Sequence, residues 1–161
     1  MKSHFTLLIV AATTLVSCAY APEQSAMSDL VLGSPKIEGK KEYLPSPYVT
    51  AGNRVYMVGH QDGSFPELGW HIKGEMGGIW NHPIKLMDGF DIDLHLDSTV
   101  LQLNKADSFT NYPFANVHDY DFSTNGLKVK RYQFVPDDTE GILVQRNHQY
   151  RSKSTGRCTC L

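Results

Sequence analysis

An alternation of apolar and polar residues between Phe90 and Asp97 restricts the fold more than any other feature of the chain. The apolar positions are Phe90, Ile92, Leu94 and Leu96, and the residues between and after them are Asp91, Asp93, His95 and Asp97. Side chains of a β-strand point alternately to the two faces of a sheet, so this period predicts a strand with one buried and one solvated face. We expect the pattern to continue to Leu103, within an antiparallel sheet that is covered on one side.

Turn-forming residues separate further short strands. A strand is predicted at 54–58, and a hairpin at 120–134 because its Asn-Gly pair readily supplies the positive φ values of a tight turn. A second turn at 136–141 leads to a strand at 142–144. After the signal sequence, no segment of ten or more residues has helical apolar spacing. The sequence therefore predicts an all-β fold, an antiparallel β-sandwich.

The first 18 residues predict export. One lysine precedes an apolar run at 5–16 that is too short to span a bilayer but typical of a signal peptide. Residues 15–18 (Leu-Val-Ser-Cys) match a bacterial lipobox, in which Cys18 is lipidated. Cleavage after Ala21 is the alternative, although Pro22 would hinder it. We predict a lipoprotein signal peptide at 1–18 and a protein anchored by lipid to a bacterial membrane, in the periplasm or at the cell surface.

The segments that flank the predicted domain lack a core pattern. Residues 19–42 are polar, with scattered Pro, Gly and Ser, and predict a flexible tether. From Arg146 the apolar rhythm is lost, and codon degeneracy permits a one-nucleotide deletion that restores a strand-like sequence. We therefore predict a frameshifted tail at 146–161, with a natural basic tail as the alternative. The β-sandwich is expected at 43–145, incomplete and with unpaired strand edges.

The charge and the cysteine content of the chain argue against a nucleic-acid partner and against stabilisation by disulfides. The formal net charge is −2 and no basic run is present, which argues against a nucleic-acid partner. Between Cys18 and Cys158 there is no cysteine, so packing, and not disulfides, is expected to hold the domain.

The segment 59–90 is rich in glycine and contains Trp70, Trp80 and three histidines. It follows neither helical nor strand periodicity, which predicts a shaped surface loop. Glycines allow tight turns, while tryptophan, histidine and carboxylate side chains offer flat apolar faces and directional hydrogen bonds. Such a surface is suited to a sugar.

Three segments resemble the amino-terminal region of bacterial glycogen-debranching-like glycoside hydrolases of the six-hairpin glycosidase superfamily. They are GWHIKGEMGGIWNHPIKLMDGF at 69–90, ADSFTNYPFANVH at 106–118 and QFVPDDTEGILV at 133–144. The resemblance implies a β-sandwich that supports an (α/α)6 barrel, with the catalytic acid and base on the barrel and α-glucan as substrate. It also implies that this chain is a truncated copy without the barrel and inactive alone. A non-catalytic carbohydrate-binding surface lipoprotein is the alternative.

Candidate sugar contacts lie in the glycine-rich segment. They are Trp70, His71, Glu75, Trp80, His82 and Asp88. Each tryptophan can stack on a sugar ring with its N–H near a hydroxyl, or it can be buried in packing. No catalytic residue is assigned. The carboxylates Asp62, Glu67, Glu75 and Asp88 suit a structural role, accepting N–H bonds or facing cations.

A metal site is a further interpretation of the histidines. His60, His71 and His82 recur at intervals of 11 residues, but no close pair places two ligands on one element. A metal-dependent hydrolase is accordingly a third hypothesis. Asp91, Asp93 and Asp97 fall on the solvated face of a predicted strand. They therefore do not converge on one point, as the oxygen ligands of a calcium ion do. We expect no metal and no cofactor.

Overall fold

The computed structural model of the protein describes residues 26–69 and 71–150, which form an antiparallel all-β fold. The strands are β1 (Ile37–Glu38), β2 (Pro47–Ala51), β3 (Tyr56–His60), β4 (Gly78–Asn81), β5 (Ile84–Met87), β6 (Asp93–Leu96), β7 (Thr99–Gln102), β8 (Ser108–Asn111), β9 (Ala115–Phe122), β10 (Leu127–Phe134) and β11 (Leu143–Tyr150). One helix, α1 (Ala26–Val31), precedes them, and 3-10 turns occur at Lys41–Tyr43 and Ser123–Asn125. The predicted signal peptide, Cys18 and Trp70 lie outside the described residues.

The strands form three sheets. A five-stranded sheet has the order β1-β8-β9-β10-β11, a four-stranded sheet has the order β2-β3-β4-β5, and β6 and β7 form a separate hairpin. The pairs are antiparallel, and Leu127 to Phe134 of β10 match β9 on one side and β11 on the other. The predicted antiparallel β-sandwich is confirmed.

Two apolar clusters fill the inner side of the five-stranded sheet. The cluster beneath the four-stranded sheet contains Leu44, Tyr48, Val55, Met57, Ile79, Phe109 and Val135. The cluster beneath the β6–β7 hairpin contains Leu101, Leu103, Ala106, Tyr120, Leu127 and Val129. Full burial of each large apolar side chain contributes about 1.5–3 kcal/mol. The hairpin is therefore the second cover of the same sheet face.

Hydrogen bonds between buried side chains join the two larger sheets. Tyr48 Oη donates to Gln133 Oε1 at 2.8 Å, and Asn116 Nδ2 donates to Thr50 Oγ1 at 2.7 Å. Because an unpaired buried polar group is costly, these bonds restrict how one sheet can shift over the other.

The alternation between Phe90 and Leu96 is confirmed, but the strand is shorter than expected. The four apolar side chains pack towards the five-stranded sheet, and Asp91, Asp93 and Asp97 are exposed. The chain reverses at Asp97, whose φ of 48° is left-handed, so residues 99–102 return as β7 instead of extending the strand. An Asp-Ser pair tolerates this conformation and marks the turn in the sequence.

Between residues 26 and 42, the described part of the flexible tether expected at 19–42, the chain forms ordered elements. Met27 and Val31, four residues apart on one face of α1, pack against the outer side of the five-stranded sheet. Ile37 and Glu38 then pair with β8 as its edge strand. Both elements are too short for their periodicity to stand out from the surrounding polar residues.

β11 continues five residues into the predicted frameshifted tail. It reaches Tyr150 and pairs with β10 along its full length. Within the described residues its other edge has no partner strand, and Val144 and Tyr150 are exposed on the sheet face that is buried elsewhere. The unpaired edge agrees with the expected incomplete sandwich. The frameshift at 146–161 stays a prediction.

Arg131 is fully buried where the two covers of the sheet meet. Its Nη1 donates to the Leu103 carbonyl oxygen at 2.8 Å, and its Nη2 donates to the Gly63 carbonyl oxygen at 2.9 Å. The guanidinium carbon lies 5.7 Å from the centre of the Tyr120 ring. Gly63 has a φ of 93°, and a Cβ there would lie 2.1 Å from Tyr120 Oη, so this approach requires glycine. Arg131 thus links β10 to both covering units.

We predict that Arg131→Ala lowers the free energy of unfolding by about 3 kcal/mol or more, because it removes the charged donor of the buried Gly63 and Leu103 carbonyl groups, and of these Leu103 keeps a second donor, Tyr120 Oη. Urea unfolding followed by circular dichroism measures the change. Lys128→Ala on the same strand is the control, since its ion pair with Asp121 is exposed and should contribute less than about 1 kcal/mol. Equal losses in the two variants would contradict the prediction.

His118 is buried opposite Arg131 on β9. Its ring nitrogens have no hydrogen-bond partner among the described residues. Burial lowers the pKa of His118 well below its ordinary value of 6.5, the Arg131 guanidinium lowers the pKa further, and the nearby backbone of His60 raises it weakly. The folded protein therefore holds His118 neutral.

We predict that acid destabilises the protein through His118. The unfolded chain takes up a proton near pH 6.5 and the folded chain does so only at lower pH, so this contribution to stability is complete above pH 6.5. Between the two pKa values it is lost at up to about 1.4 kcal/mol per pH unit. His118→Phe should remove this slope in urea unfolding at pH 7.5 to 5, whereas the exposed control His95→Phe should keep it. An unchanged slope in His118→Phe would refute the assignment.

Candidate functional site

Four side chains form a row across the outer face of the four-stranded sheet. Ala51 pairs with Tyr56, Tyr56 with Trp80, and Trp80 with Lys85, so one residue of each strand contributes. We call these four residues the aromatic row. The Tyr56 and Trp80 rings are within 5° of parallel, with centroids 6.3 Å apart, and Lys85 Nζ lies 5.6 Å from the Trp80 ring centre. Tyr56 and Trp80 are both partly exposed.

Trp80 is held by the backbone around it. A register shift between Ile79 and Trp80 follows Gly78, whose φ is 97°. A Cβ at Gly78 would lie 2.3 Å from the Met87 carbonyl oxygen, so the close approach of β5 requires glycine here. The indole Nε1 donates to the Gly77 carbonyl oxygen at 2.9 Å. Its only donor is thus used within the protein and is not available to a sugar hydroxyl.

Lys85 connects the row to the glycine-rich loop. Its Nζ donates to the Gly74 carbonyl oxygen at 2.7 Å and forms an ion pair with Asp88 at 2.5 Å. Within the loop, Glu75 Oε1 accepts a hydrogen bond from the His71 backbone N–H at 2.9 Å. One ammonium group therefore holds the loop, the hairpin end and the Trp80 ring together.

The structure brings most of the predicted sugar contacts near this row. Trp80 belongs to it, Asp88 pairs with Lys85, and His71 and Glu75 flank the loop carbonyl that Lys85 binds. His82 lies in the β4–β5 turn, where its side chain is exposed. Trp70 is not described.

The prediction of an irregular loop throughout 59–90 is wrong at 78–87. These residues form β4 and β5, and Ile79 is in the core. The register shift interrupts the two-residue period, and β5 is exposed on both faces, so no alternation was visible. The His82-Pro83 turn between two apolar runs was the available signal.

The four carboxylates considered for catalysis each have a structural partner. Asp62 Oδ1 accepts from the Ser64 backbone N–H at 2.9 Å and from the Ser64 hydroxyl at 2.7 Å. Glu67 forms an ion pair with Lys73, and the partners of Glu75 and Asp88 are given above. These contacts are of the two kinds expected for a structural role, an accepted N–H bond or a cationic partner.

Residues 26–69 and 71–150 contain neither a metal-binding cluster nor a membrane-spanning helix. No three His, Cys, Asp or Glu side chains there are grouped to hold a metal ion. No helix in the same residues has the length and apolar character needed to cross a membrane.

A hollow of about 410 Å³ adjoins the row at Tyr56. Its lining residues are Val49, Ala51, Gly52, Asn53, Arg54, Val55, Tyr56, Asn81 and His82. Of these residues, only His82 is among the sugar contacts that the sequence predicts. The strand predicted at 54–58 contained Tyr56, but only the register of β2 reveals that the small Ala51 lies beside it.

Comparisons of the chain with protein-family models, with curated proteins and with solved structures found no match. The likeness to glycogen-debranching-like glycoside hydrolases therefore stays an expectation that depends on the three sequence segments.

We predict that Lys85→Met loosens the loop, because it removes the hydrogen bond to Gly74 and the ion pair with Asp88. Amide hydrogen exchange should become faster at 71–77, and Trp80 emission should change in a Trp70→Phe background. Lys73→Met is the matched control, since Lys73 lies in the same segment but its ion pair with Glu67 is exposed. Unchanged exchange in Lys85→Met would show that this lysine does not hold the loop.

Proposed function

We propose that the chain is the amino-terminal β-sandwich of an exported, lipid-anchored glycoside hydrolase of the glycogen-debranching type that acts on α-glucans. The observation that carries the proposal is the partly exposed aromatic row beside a tightly held glycine-rich loop. Exposed aromatic rings offer flat apolar faces, and polar side chains beside them can orient a ligand, which together suit the apolar face and the hydroxyl groups of a sugar ring. Cys18 would carry the lipid, and an (α/α)6 barrel would be the partner domain.

Residues from the three segments that resemble the glycoside hydrolases pack together in the fold. This packing supports the interpretation that the three segments belong to one structural unit. Ile79, Phe109 and Val135 each come from a different segment and belong to the same core cluster. Each segment therefore contributes at least one buried residue to a shared core.

In this proposal the β-sandwich binds the α-glucan and supports the (α/α)6 barrel, and the barrel carries out the hydrolysis. Glycoside hydrolysis needs one carboxyl group to protonate the leaving oxygen and a second to attack or to activate water. The carboxylates near the aromatic row hold the loop in place, as with Asp88 and Lys85. A catalytic acid and base would accordingly come from outside this domain.

A non-catalytic carbohydrate-binding surface lipoprotein is the second candidate. It is favoured by the filled core of the described sandwich, in which Arg131 and Met57 are fully buried. Reading the DNA beyond codon 161 in three frames separates the two candidates, because only the first requires a barrel-coding sequence there.

We predict that the purified protein binds glycogen without cleaving it. Migration in a native gel should be retarded by glycogen but not by hydroxyethylcellulose, and incubation with malto-oligosaccharides should release no glucose. A gel without polysaccharide is the reference. Equal migration in all gels would remove the α-glucan proposal, and glucose release above that of a mock purification would refute the division of roles.

A further inference from the structure

We propose that the hollow beside Tyr56 is a subsite for one ring of a neutral saccharide, and that Tyr56, rather than Trp80, is the ring on which the sugar stacks. This inference rests on the proposed sugar-binding function and names the residues that carry it. Its four supports are the open side of the Tyr56 ring, the polar groups at the rim, the charge balance and the fixed shape of the hollow.

The order of residues in the aromatic row leaves Tyr56 open on one side. Trp80 lies between Tyr56 and the Lys85 ammonium group, so both of its neighbours in the row are large. Tyr56 has Trp80 on one side and only the methyl group of Ala51 on the other, where the hollow begins. An apolar sugar face placed there would contact the phenol ring, with the indole supporting that ring from behind.

Unused hydrogen-bonding groups border the same space. The side chains of Asn81 and His82 line the hollow and form no hydrogen bond with the described residues. The amide offers two donors and an acceptor, and the imidazole offers at least one donor. Sugar hydroxyls both donate and accept, so these groups suit the edge of a ring that is stacked on Tyr56.

The charge balance of the hollow favours a neutral ligand. Among the described residues that line it, Arg54 alone is permanently charged, and Arg54 Nη2 already forms an ion pair with Glu140 at 2.5 Å. Asn53 Nδ2 donates to Asp138 Oδ1 at 2.8 Å, so nearby carboxylates add negative potential. A phosphate or a uronic acid would find no uncompensated cation here.

The floor of the hollow is shaped before any ligand binds. The Gly52 N–H donates to the Val55 carbonyl oxygen at 2.9 Å, and a Cβ at Gly52 would lie 2.5 Å from the Pro136 carbonyl oxygen. Asn53 Oδ1 also accepts from the Asp138 N–H at 2.7 Å. These bonds fix the β2–β3 turn against the loop at 136–141, which reduces the ordering cost of binding.

Titration of the ¹⁵N-labelled protein with maltotriose, followed by amide chemical shifts, tests the proposal. The largest shifts are expected at Ala51, Gly52 and Asn81. Tyr56→Ala should weaken binding roughly tenfold or more, while Tyr56→Trp should retain it. Ala51→Leu fills the space beside the Tyr56 ring and should abolish the amide shifts that maltotriose causes. Tyr43→Ala, on an exposed turn, is the control and should bind like the unchanged protein. The spectra of the free variants report whether each remains folded.

The outcomes separate this inference from the proposed function. If maltotriose binds but folded Tyr56→Ala binds equally well, the subsite is wrong and the α-glucan function stands. If maltotriose produces no shifts but cellobiose or lactose shifts the hollow residues, the subsite stands and the α-glucan function fails. No shifts with any of these sugars would overturn both, and tighter binding of glucuronate than of maltotriose would overturn the neutral ligand.

Discussion

The buried guanidinium of Arg131 is the contact on which the arrangement of the layers depends. A cation removed from water must be compensated, and here the compensation comes from the carbonyl oxygens of Leu103 and Gly63. One carbonyl lies just after the β6–β7 hairpin and the other follows β3 of the four-stranded sheet. The hydrogen bonds of one side chain therefore set the position of both covers over the five-stranded sheet, and apolar contacts alone would leave that position less defined.

The burial of the core residues determines which side chains lie on the outer face of the four-stranded sheet. Met57 and Ile79 are buried on the inner side of β3 and β4, so their neighbours Tyr56 and Trp80 must point outwards. Cross-strand pairing then places the two rings side by side. A surface built this way loses little conformational entropy on binding, because its side chains are already held by strands that the core has fixed.

Sequence patterns predicted the elements whose signals are local. The turn residues at 123–126 predicted the β9–β10 hairpin, although only Gly126 adopts a positive φ there, and the alternation before Asp97 predicted the buried face of β6. They did not predict β4 and β5, because the register shift at Trp80 disrupts the two-residue period. The composition of 59–90 drew attention to Trp80, whereas Tyr56 lies outside that segment, and the opening beside its ring depends on Ala51 being its partner in another strand.

The glycine-rich loop shows how composition and contacts can point to different roles. Its histidines and carboxylates are the residue types of an active site, yet Glu75 binds the His71 N–H and Asp88 binds Lys85. Both contacts are made within the loop and the β4–β5 hairpin, and neither carboxylate lines the hollow beside Tyr56. A loop that uses its polar groups in this way is suited to holding an aromatic surface in place. The proposed sugar site is accordingly placed at Tyr56, beside the held residues.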